Sequence, residues 1–445
     1  MRQQHTLSPK IQGLRDLMSC GLDVPQFAIV PAAQDLDLDD SVLTEPDRQV
    51  FARIRNALAL AAEDAEICLQ QGVSIRSASE DEDTEDHSNA GRYLSFNAIT
   101  DLEHASAAAL HIWMHHRQRT PGHIKCPLIL QQYHRAYFSG VAFAFLSREC
   151  FRLEIESYYG GCRSVVEGRC IPYRSSYEDD RGWHHKNGDG YECTRFTAHR
   201  ELIDTIPSDV CPGMELVPVC YPFPGPLRLF AVPYTDELDL YGYRPQHPPH
   251  WFPATTCAEL ARATRAICVS TSMPGIDLEW GCGVDGAIRY YQCRRATAEV
   301  GHCGQTSFAD VAQHGTNVLF GLPAAGGVAC GIVRDPSDCI TSPAEEPTIC
   351  MLGEATVNDI AAIKNSVAVV AARGGMLSHL ATACRELMKP CVTGIGLMLR
   401  NGDKVEVDGS AGVVRRVEMV CPVSPTYGQQ SPSTCPEARE DAPSE

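Results

Sequence analysis

The stretch from residue 367 to residue 390 constrains the fold more than any other part of this chain. The apolar, mostly β-branched run 367–370 predicts a buried strand, and Gly374 and Gly375 interrupt it with a turn. Ser378 is a favourable N-cap for the helix predicted next, and Pro390 stops that helix. The apolar positions at helical spacing are Leu380, Ala383, Cys384, Leu387 and Met388. A buried strand, a glycine turn and an amphipathic helix are therefore expected in this order.

His379 falls in the first turn of the predicted helix. Backbone N–H groups without a helical partner and the positive end of the helix dipole lie there, so an anion is favoured and a protonated imidazole is not. A neutral ring is a nucleophile, and a phosphoryl group placed on it would lie near those donors and near Ser378. The pattern predicts a histidine presented for phosphorylation. The alternative is that His379 only caps a helix.

Two strings around His379 resemble a known domain. The first reads Arg373, Gly374, Gly375, Met376, Leu377, Ser378 and His379, and the second reads Lys389, Pro390, Cys391, Val392, Thr393 and Gly394. Together with flanks at 321–331 and 402–412, they resemble the swivelling phosphohistidine domain of the pyruvate phosphate dikinase and phosphoenolpyruvate synthase family. The resemblance covers 318–418 and implies that His379 is catalytic. It also implies that Arg373, Gly374, Gly375 and Ser378 belong to the phosphohistidine loop, residues 373–379.

Fragments scattered over the first two thirds of the chain resemble the ATP-grasp nucleotide-binding domain of the same family. In order they carry Lys10, Arg76, Gln131, Glu156, Glu279, Gln292 and Arg294. The resemblance implies that Lys10, Arg76, Gln131, Glu156 and Arg294 bind ATP, and that Glu279 and Gln292 hold Mg2+. Cations and hard oxygen ligands suit phosphoryl transfer, which depends mostly on positioning and charge neutralisation. Taken alone, Lys10 and Arg76 would be interpreted as surface charges, and Glu279 as facing solvent.

The chain also departs from that family around its nucleotide fragments. Where relatives carry Gly-Leu-Gly-Glu, this chain has Gly160, Gly161, Cys162 and Arg163, so a carboxylate is replaced by a cation. Near the start of the chain, Ser8 and Pro9 stand in place of a glycine pair. After residue 163, Tyr173 stands in place of an aspartate and Arg295 in place of a proline. These changes keep open a weakened nucleotide site, and with it a nucleotide-binding regulator that does not turn ATP over.

The fold class expected from these elements is α/β and α+β. An ATP-grasp-like domain is predicted over 1–296 with a divergent insert at 174–256, followed by a linker at 297–317, the phosphohistidine domain at 318–418 and a disordered tail at 419–445. Strands are predicted at 128–131, 140–145, 151–156 and 288–292, a helix at 258–269 and an acidic loop at 80–86.

Composition limits the kinds of partner. The chain has 445 residues and a formal net charge of −18, which argues against nucleic acid or an anionic membrane as the main partner. It contains no apolar run long enough to span a membrane and no signal-peptide core, so a soluble cytoplasmic protein is expected. Its 21 cysteines include no Cys-x-x-Cys pair, so free thiols are expected and a structural zinc site is not.

The resemblance implies a dikinase-type phosphotransferase with paired acceptors. ATP would give its β-phosphoryl group to His379 and leave AMP and phosphate, and the histidine domain would then swing on the linker to an acceptor site. Pyruvate-using relatives carry a large enolpyruvate barrel that this sequence lacks. Pyruvate is therefore not expected to be handled by this polypeptide alone.

The acceptor is expected to be a small molecule or a protein, and its site is the least constrained prediction. The candidates for its pocket are Trp183, His184, His185, His247, His250 and Trp251, in the 174–256 region. One alternative function is a phosphocarrier subunit that hands its phosphoryl group to a separate enzyme, and another is the nucleotide-binding regulator. The sequence predicts neither the identity of the acceptor nor the oligomeric state.

Overall fold

The structure is a computed structural model that describes residues 8–38, 43, 48–79, 94–119, 125–136, 138–148, 150–159, 161–168, 170–186, 217–219, 232–234, 254–283, 286–296, 318–341, 347–353 and 359–417. The predicted acidic loop, linker and tail lie outside these residues, as does most of the 174–256 region. The described helices are α1 (Pro9–Ser19), α2 (Arg48–Asp64), α3 (Leu102–Arg119), α4 (Arg163–Val166), α5 (Ala254–Thr271), α6 (Pro336–Thr341), α7 (Ile360–Asn365) and α8 (His379–Glu386). Within this described part, no helix has both the length and the apolar character needed to cross a membrane.

The amino-terminal sheet has four antiparallel strands in the order β1-β4-β2-β3. Its strands are β1 (Phe27–Val30), β2 (Val73–Ser77), β3 (Ser95–Ile99) and β4 (Leu128–Gln132). Helices α2 and α3 share one apolar core with this sheet. Helix α2 buries Val50, Ile54, Leu58 and Ala62, which recur every four residues along one face. This layer carries Arg76 on β2 and Gln131 on β4.

Six antiparallel strands form the second sheet, in the order β12-β11-β5-β6-β7-β8. Its strands are β5 (Phe138–Leu146), β6 (Phe151–Tyr159), β7 (Tyr173–Glu178), β8 (Gly182–Lys186), β11 (Gly275–Cys282) and β12 (Ile288–Arg295). Helices α1 and α5 pack on it. Gly13 allows α1 to lie against β12, because a Cβ there would fall 1.8 Å from the Cys293 carbonyl oxygen. Strands β7 and β8 open the 174–256 region, in which β9 (Val217–Val219) and β10 (Val232–Tyr234) also pair.

The carboxyl-terminal sheet has eight strands in the order β13-β20-β19-β15-β16-β17-β18-β14. Its strands are β13 (Val318–Phe320), β14 (Leu322–Ala325), β15 (Val328–Arg334), β16 (Thr348–Leu352), β17 (Ala368–Ala371), β18 (Cys391–Thr393), β19 (Lys404–Asp408) and β20 (Val413–Arg416). Strands β15 to β18 are parallel, and β17 is buried along its whole length. Alternate β17 residues enter two apolar clusters, so the described part of 318–417 has a core of its own. We call this part the histidine unit, and the described part of 8–296 the larger unit.

These sheets and helices confirm the predicted fold class, α/β and α+β. The strands predicted at 128–131, 140–145, 151–156 and 288–292 lie within β4, β5, β6 and β12, and the helix predicted at 258–269 lies within α5. Helix α8 differs from its prediction: it ends at Glu386, and Met388 is 63% exposed instead of joining the apolar face. The reason is a Schellman closure, in which Met388 takes a left-handed φ of 52° and the Lys389 N–H donates to the Cys384 carbonyl at 2.8 Å.

Candidate functional site

His379 is the first residue of α8, where the chain arrives from β17 through a glycine turn. Gly374 has a φ of 117°, a conformation that L side chains rarely adopt. Ser378 is the N-cap, as predicted: its Oγ accepts from the Ala381 N–H at 3.3 Å and donates to the Gly375 carbonyl at 2.9 Å. Ser378 is buried whereas His379 is only partly buried. The imidazole is therefore partly accessible, with its Nδ1 buried, on a backbone held by the cap.

Arg385 holds the phosphohistidine loop from the side of α8. Its Nη1 donates to the Met376 carbonyl at 2.7 Å and to the Ala324 carbonyl at 2.8 Å. The guanidinium also lies 5.9 Å from the centre of the Phe143 ring, which belongs to the six-stranded sheet. Burial lowers the pKa of Arg385, and the Glu156 carboxylate opposes that shift. Arg385 therefore bonds the loop to the histidine unit, and its guanidinium also lies near the six-stranded sheet of the larger unit.

Glu156, on β6, joins the phosphohistidine loop to the six-stranded sheet. One carboxylate oxygen accepts from the Met376 N–H at 2.7 Å, and the other accepts from the Leu377 N–H at 2.9 Å. Glu156 is 1% exposed, so water does not reach this contact. A Cβ at Gly375 would lie 1.9 Å from the carboxylate Oε2. Burial raises the pKa of Glu156, and the charge of Arg174 followed by the two loop N–H groups lowers it.

Apolar side chains surround the contact between the two units. The buried members of this cluster are Met376, Leu377, Val141, Phe143 and Val165. A further backbone hydrogen bond joins the Gly374 N–H to the Cys170 carbonyl at 3.2 Å. Because the surroundings are apolar, hydrogen bonds here do not compete with water and are costly to leave unmade.

Strand pairing brings together residues that the resemblance assigned to ATP and Mg2+. Glu279 and Gln292 are directly opposite each other in the β11–β12 register. Arg76 Nη1 lies 3.6 Å from Glu279 Oε2 and 3.4 Å from Gln292 Oε1. Lys10 is buried on α1, with its Nζ 3.4 Å from the carbonyl oxygen of Ser77, the residue after Arg76. Four predicted residues therefore occupy one region between the two amino-terminal sheets.

Arg294 and Gln131 complete the predicted nucleotide residues. Arg294 makes an ion pair with Asp277, its partner in the β11–β12 register, with the guanidinium 2.7 Å from the carboxylate Oδ2. Both side chains of this pair are at most 10% exposed. Gln131 is 2% exposed, and its Nε2 has no hydrogen-bond partner among the described residues. A buried amide donor of this kind is normally satisfied, and a bound ligand would satisfy it.

The segment that departs from the family, with Cys162 and Arg163, borders the same region. Cys162 Sγ donates to the Gly140 carbonyl at 3.2 Å. Burial raises the pKa of the Cys162 thiol well above its ordinary value, and the negative charge of Glu279 raises it further. Arg163 Nε lies 2.5 Å from the carboxylate of Glu167, one turn further along the chain. This segment therefore offers the region a neutral thiol and a cation that is already paired with a carboxylate.

The donor chemistry of Glu279 and Gln292 fits Mg2+. A carboxylate oxygen and an amide oxygen are hard donors, and phosphate oxygens of a nucleotide would complete the coordination. Arg76, which contacts both oxygens, would then move its guanidinium to the phosphates. In the described part of the chain, no group of three or more His, Cys, Asp or Glu side chains is placed to hold a metal ion. The pair therefore suits a metal ion that arrives with a nucleotide.

Three charged residues of this region were missed by the sequence analysis: Asp277, Arg174 and Arg385. Asp277 alternates with Glu279 along β11, and that spacing could have placed both carboxylates on one face of a strand. Arg174 lies in the region without clear periodicity, and it pairs with Glu154 at 3.2 Å. Arg385 gave no signal, because a basic residue late in an amphipathic helix is usually on the solvated face.

A family model described as the mobile domain of PEP-utilising enzymes matches residues 344–412. The pyruvate, phosphate dikinase of Rickettsia conorii is 30% identical over 132 residues, which cover 26% of this chain and 15% of that protein. A probable phosphoenolpyruvate synthase of Archaeoglobus fulgidus is 31% identical over 144 residues, which cover 31% of this chain and 19% of that protein. The chain therefore carries a PEP-utilising mobile domain. It is similar there to a pyruvate phosphate dikinase and a phosphoenolpyruvate synthase, and it spans less than a fifth of the length of each of these two proteins.

Solved structures resemble the chain weakly. D-cycloserine synthetase DcsG has a TM-score of 0.26 at 11% identity, over 65% of this chain and 62% of that one. The dinucleotide-forming acetyl-coenzyme A synthetase 1 of Ca. Korarchaeum cryptofilum has a TM-score of 0.33 at 12% identity, over 65% of this chain and 91% of that one. No feature of the site depends on these likenesses.

Proposed function

We propose that the protein is an ATP-dependent phosphotransferase of the dikinase type, which moves the β-phosphoryl group of ATP through phospho-His379 to an acceptor and releases AMP and phosphate. The observation that carries this proposal is the docking of the phosphohistidine loop on the sheet that bears Glu279 and Arg294. Arg385, in the helix of the histidine, is close enough to Glu156 and Asp277 for both charges to affect its pKa. A histidine beside a cluster of cations and hard oxygens suits phosphoryl transfer.

His379 acts as the nucleophile in this proposal. The amino-terminal end of α8 favours the neutral ring, whose nitrogen attacks the β-phosphorus while the bond to the α–β bridging oxygen breaks and AMP leaves. Water then removes the terminal phosphate, so one ATP and one water yield AMP, inorganic phosphate and phosphohistidine. The N–H groups of the first turn stabilise the phosphoryl oxygens that remain on the ring.

The larger unit holds the triphosphate in this proposal. Arg76 and Lys10 exchange their contacts with Glu279, Gln292 and the Ser77 carbonyl for phosphate oxygens. Glu279 and Gln292 would hold Mg2+, which would supply neutralisation of the charge that develops on the phosphate oxygens. The buried contact around the docked loop keeps water from the hydrogen bonds between Glu156 and the loop, which strengthens those bonds.

The acceptor pocket predicted in the 174–256 region stays a proposal. Trp183 packs against Tyr177 with ring centres 5.1 Å apart, so this tryptophan belongs to the packing of the six-stranded sheet. His184 is exposed on β8. The side chain of His185 and the residues His247, His250 and Trp251 lie outside the described part of the chain. The substitution His184→Ala tests whether His184 belongs to the acceptor pocket. An unchanged rate of acceptor turnover would exclude this residue from the pocket.

Labelled ATP tests the proposed function directly. The protein is incubated with Mg2+ and ATP labelled at the β-phosphorus, and AMP, phosphate and acid-labile label on His379 are followed over time. His379→Ala is expected to abolish the label while ATP binds as in the wild type, because the ring is the acceptor and not part of the nucleotide site. His104→Ala, which alters a partly exposed histidine on α3, is the matched control and keeps the label.

The outcomes separate the three functions considered. Label on His379 with catalytic AMP release in the presence of a candidate metabolite supports the dikinase. Label that forms once and is passed only to another protein supports a phosphocarrier. An absence of label on the wild-type protein after prolonged incubation overturns the proposed enzyme and favours a nucleotide-binding regulator.

A further inference from the structure

The contacts of Glu156 differ from those of a residue that lines a nucleotide pocket. Both oxygens of its carboxylate are occupied by backbone N–H groups of the phosphohistidine loop, at 2.7 Å and 2.9 Å. The loop residues are 220 and 221 positions further along the chain and belong to the other unit. A carboxylate accepting two N–H groups in this paired manner fixes both the distance and the orientation of the peptide segment that it holds.

The charge behind Glu156 keeps the carboxylate in place. Arg174 lies 3.6 Å from Glu156 and 3.2 Å from Glu154, which occupies the same face of β6 two residues earlier. The two glutamates therefore share one arginine, and Glu156 also accepts the two bonds from the loop. Glu154, which is 27% exposed against 1% for Glu156, serves as the control carboxylate on the same arginine.

The loop is shaped to receive the Glu156 carboxylate. Gly375 stands directly in front of it, where a Cβ would approach Oε2 to 1.9 Å and its parent carbon to 2.6 Å. Gly375 has no positive φ, so its backbone conformation does not itself require glycine. The absence of a side chain at this position is explained by the approach of the carboxylate.

We propose that Glu156 is a positioning residue that latches the phosphohistidine loop onto the nucleotide-binding unit. This inference rests on the proposed function for its mechanistic meaning, since it assigns to Glu156 the role of presenting His379 for phosphorylation. The docked state of the loop depends on the Glu156 carboxylate, whether or not ATP is bound.

The latch has a direct consequence for the swing of the histidine domain. Departure of the loop breaks two hydrogen bonds to a buried carboxylate and uncovers Met376 and Leu377, which are now 1% and 3% exposed. Both losses oppose departure, so the lifetime of the docked state is set by Glu156 together with this apolar pair. A weakened latch should therefore reduce the docked population and slow phosphorylation of His379, without weakening the nucleotide site.

The experiment compares Glu156→Gln with Glu154→Gln in the full-length protein. An amide at residue 156 keeps one acceptor but points an NH2 donor at the second loop N–H, whereas an amide at residue 154 leaves the loop contacts intact. Amide hydrogen exchange of the peptide containing Met376 and Leu377, the affinity for ATP and the single-turnover rate of His379 labelling are measured for both variants. For Glu156→Gln we expect amide exchange to be roughly ten- to a hundredfold faster and His379 labelling to be slower by a similar factor. The affinity for ATP is expected to stay within about twofold of wild type.

Each result decides the inference. Exchange at Met376 and Leu377 that is unchanged in Glu156→Gln overturns the latch, even if labelling is slower. Weaker ATP binding in Glu156→Gln with unchanged exchange would instead assign Glu156 to the nucleotide pocket. Failure of the wild type to label His379 removes the proposed function but leaves the exchange comparison valid, so the two failures are distinguishable.

Gly375→Ala tests the latch from the opposite side. It leaves every charged residue in place and pushes the carboxylate away with one methyl group. If Glu156→Gln does not fold, as judged by its unfolding transition, Gly375→Ala is expected to show the same faster exchange and slower labelling. Exchange as slow as in the wild type in Gly375→Ala would contradict the latch.

Discussion

The two surfaces that meet around the docked loop are built from different chemical groups. The surface of the histidine unit offers backbone N–H groups and the apolar side chains of Met376 and Leu377, all from one short stretch. The surface of the larger unit offers buried charged side chains, held in pairs across neighbouring strands, such as Asp277 with Arg294. The first surface therefore depends on backbone conformation, whereas the second depends on charge pairing. Substitutions should therefore act differently on the two.

Deletion of a buried charge on the larger unit should have the largest effect on stability. Asp277→Ala leaves Arg294 without the carboxylate that it contacts at 2.7 Å, in surroundings where both are at most 10% exposed. Breaking a buried ion pair costs about 3–5 kcal/mol, because the remaining charge is not solvated. Urea unfolding would measure the cost. A loss smaller than that of a surface pair would contradict the dependence on charge pairing.

Arg385 is a buried charge on the histidine unit, whose surface depends mainly on backbone conformation. Its removal therefore tests whether charge matters less on that surface than on the larger unit. Arg385→Met would leave the Met376 and Ala324 carbonyls without the donor that now bonds them at 2.7 and 2.8 Å. A buried carbonyl without its donor costs about 1–3 kcal/mol, and at the lower end of that range the two carbonyls together cost less than a broken buried ion pair, so a smaller fall in stability than for Asp277→Ala is expected. Thermal unfolding of both variants checks the order. A larger loss for Arg385→Met would break the division between the two surfaces.

The same division explains what could be predicted from the sequence. The strand, glycine turn and Ser378 cap were predictable because each depends on neighbours in the sequence. The end of α8 was not, because Met388 adopts the left-handed conformation usually taken by glycine. The meeting of Glu279 with Gln292 depends on strand register with a bulge after Glu279, and the contact of Glu156 depends on two units docking. Residues of this kind were identified through resemblance alone, and their partners could not be predicted.

The cap of α8 should give an intermediate effect. Ser378→Ala removes the acceptor for the Ala381 N–H and the donor to the Gly375 carbonyl, and a lost N-cap costs about 1 kcal/mol. Ser378→Asn restores a capping acceptor and is expected to recover most of that stability, without restoring the bond to Gly375. Thermal unfolding measures both variants. Equal losses in the two would mean that the bond to Gly375, and not the cap, is the stabilising contact.

A surface ion pair away from both surfaces should give the smallest effect and serves as the reference. Arg265 Nη2 lies 2.5 Å from Asp179 Oδ1, and this hydrogen bond lowers the pKa of Asp179 below its ordinary value of 3.8. Because the two side chains are 43% and 38% exposed, solvent screening limits the contribution to about 0.5 kcal/mol or less. A lowered carboxyl pKa stabilises the folded state above the unfolded pKa, and this stabilisation is lost as the pH falls through the folded value.

Arg265→Ala should therefore lower stability slightly at neutral pH, and the difference from wild type should vanish as the pH falls below the lowered pKa of Asp179, where the carboxyl is protonated in both states. Unfolding midpoints measured at several pH values and at two salt concentrations would test this. Arg265 also lies over the Phe151 ring at 4.2 Å, so a loss that persists at low pH would be assigned to that contact. A loss of stability as large as that of Asp277→Ala would mean that burial does not explain the large contribution of the charges on the larger unit. The contrast between the two surfaces would then be wrong.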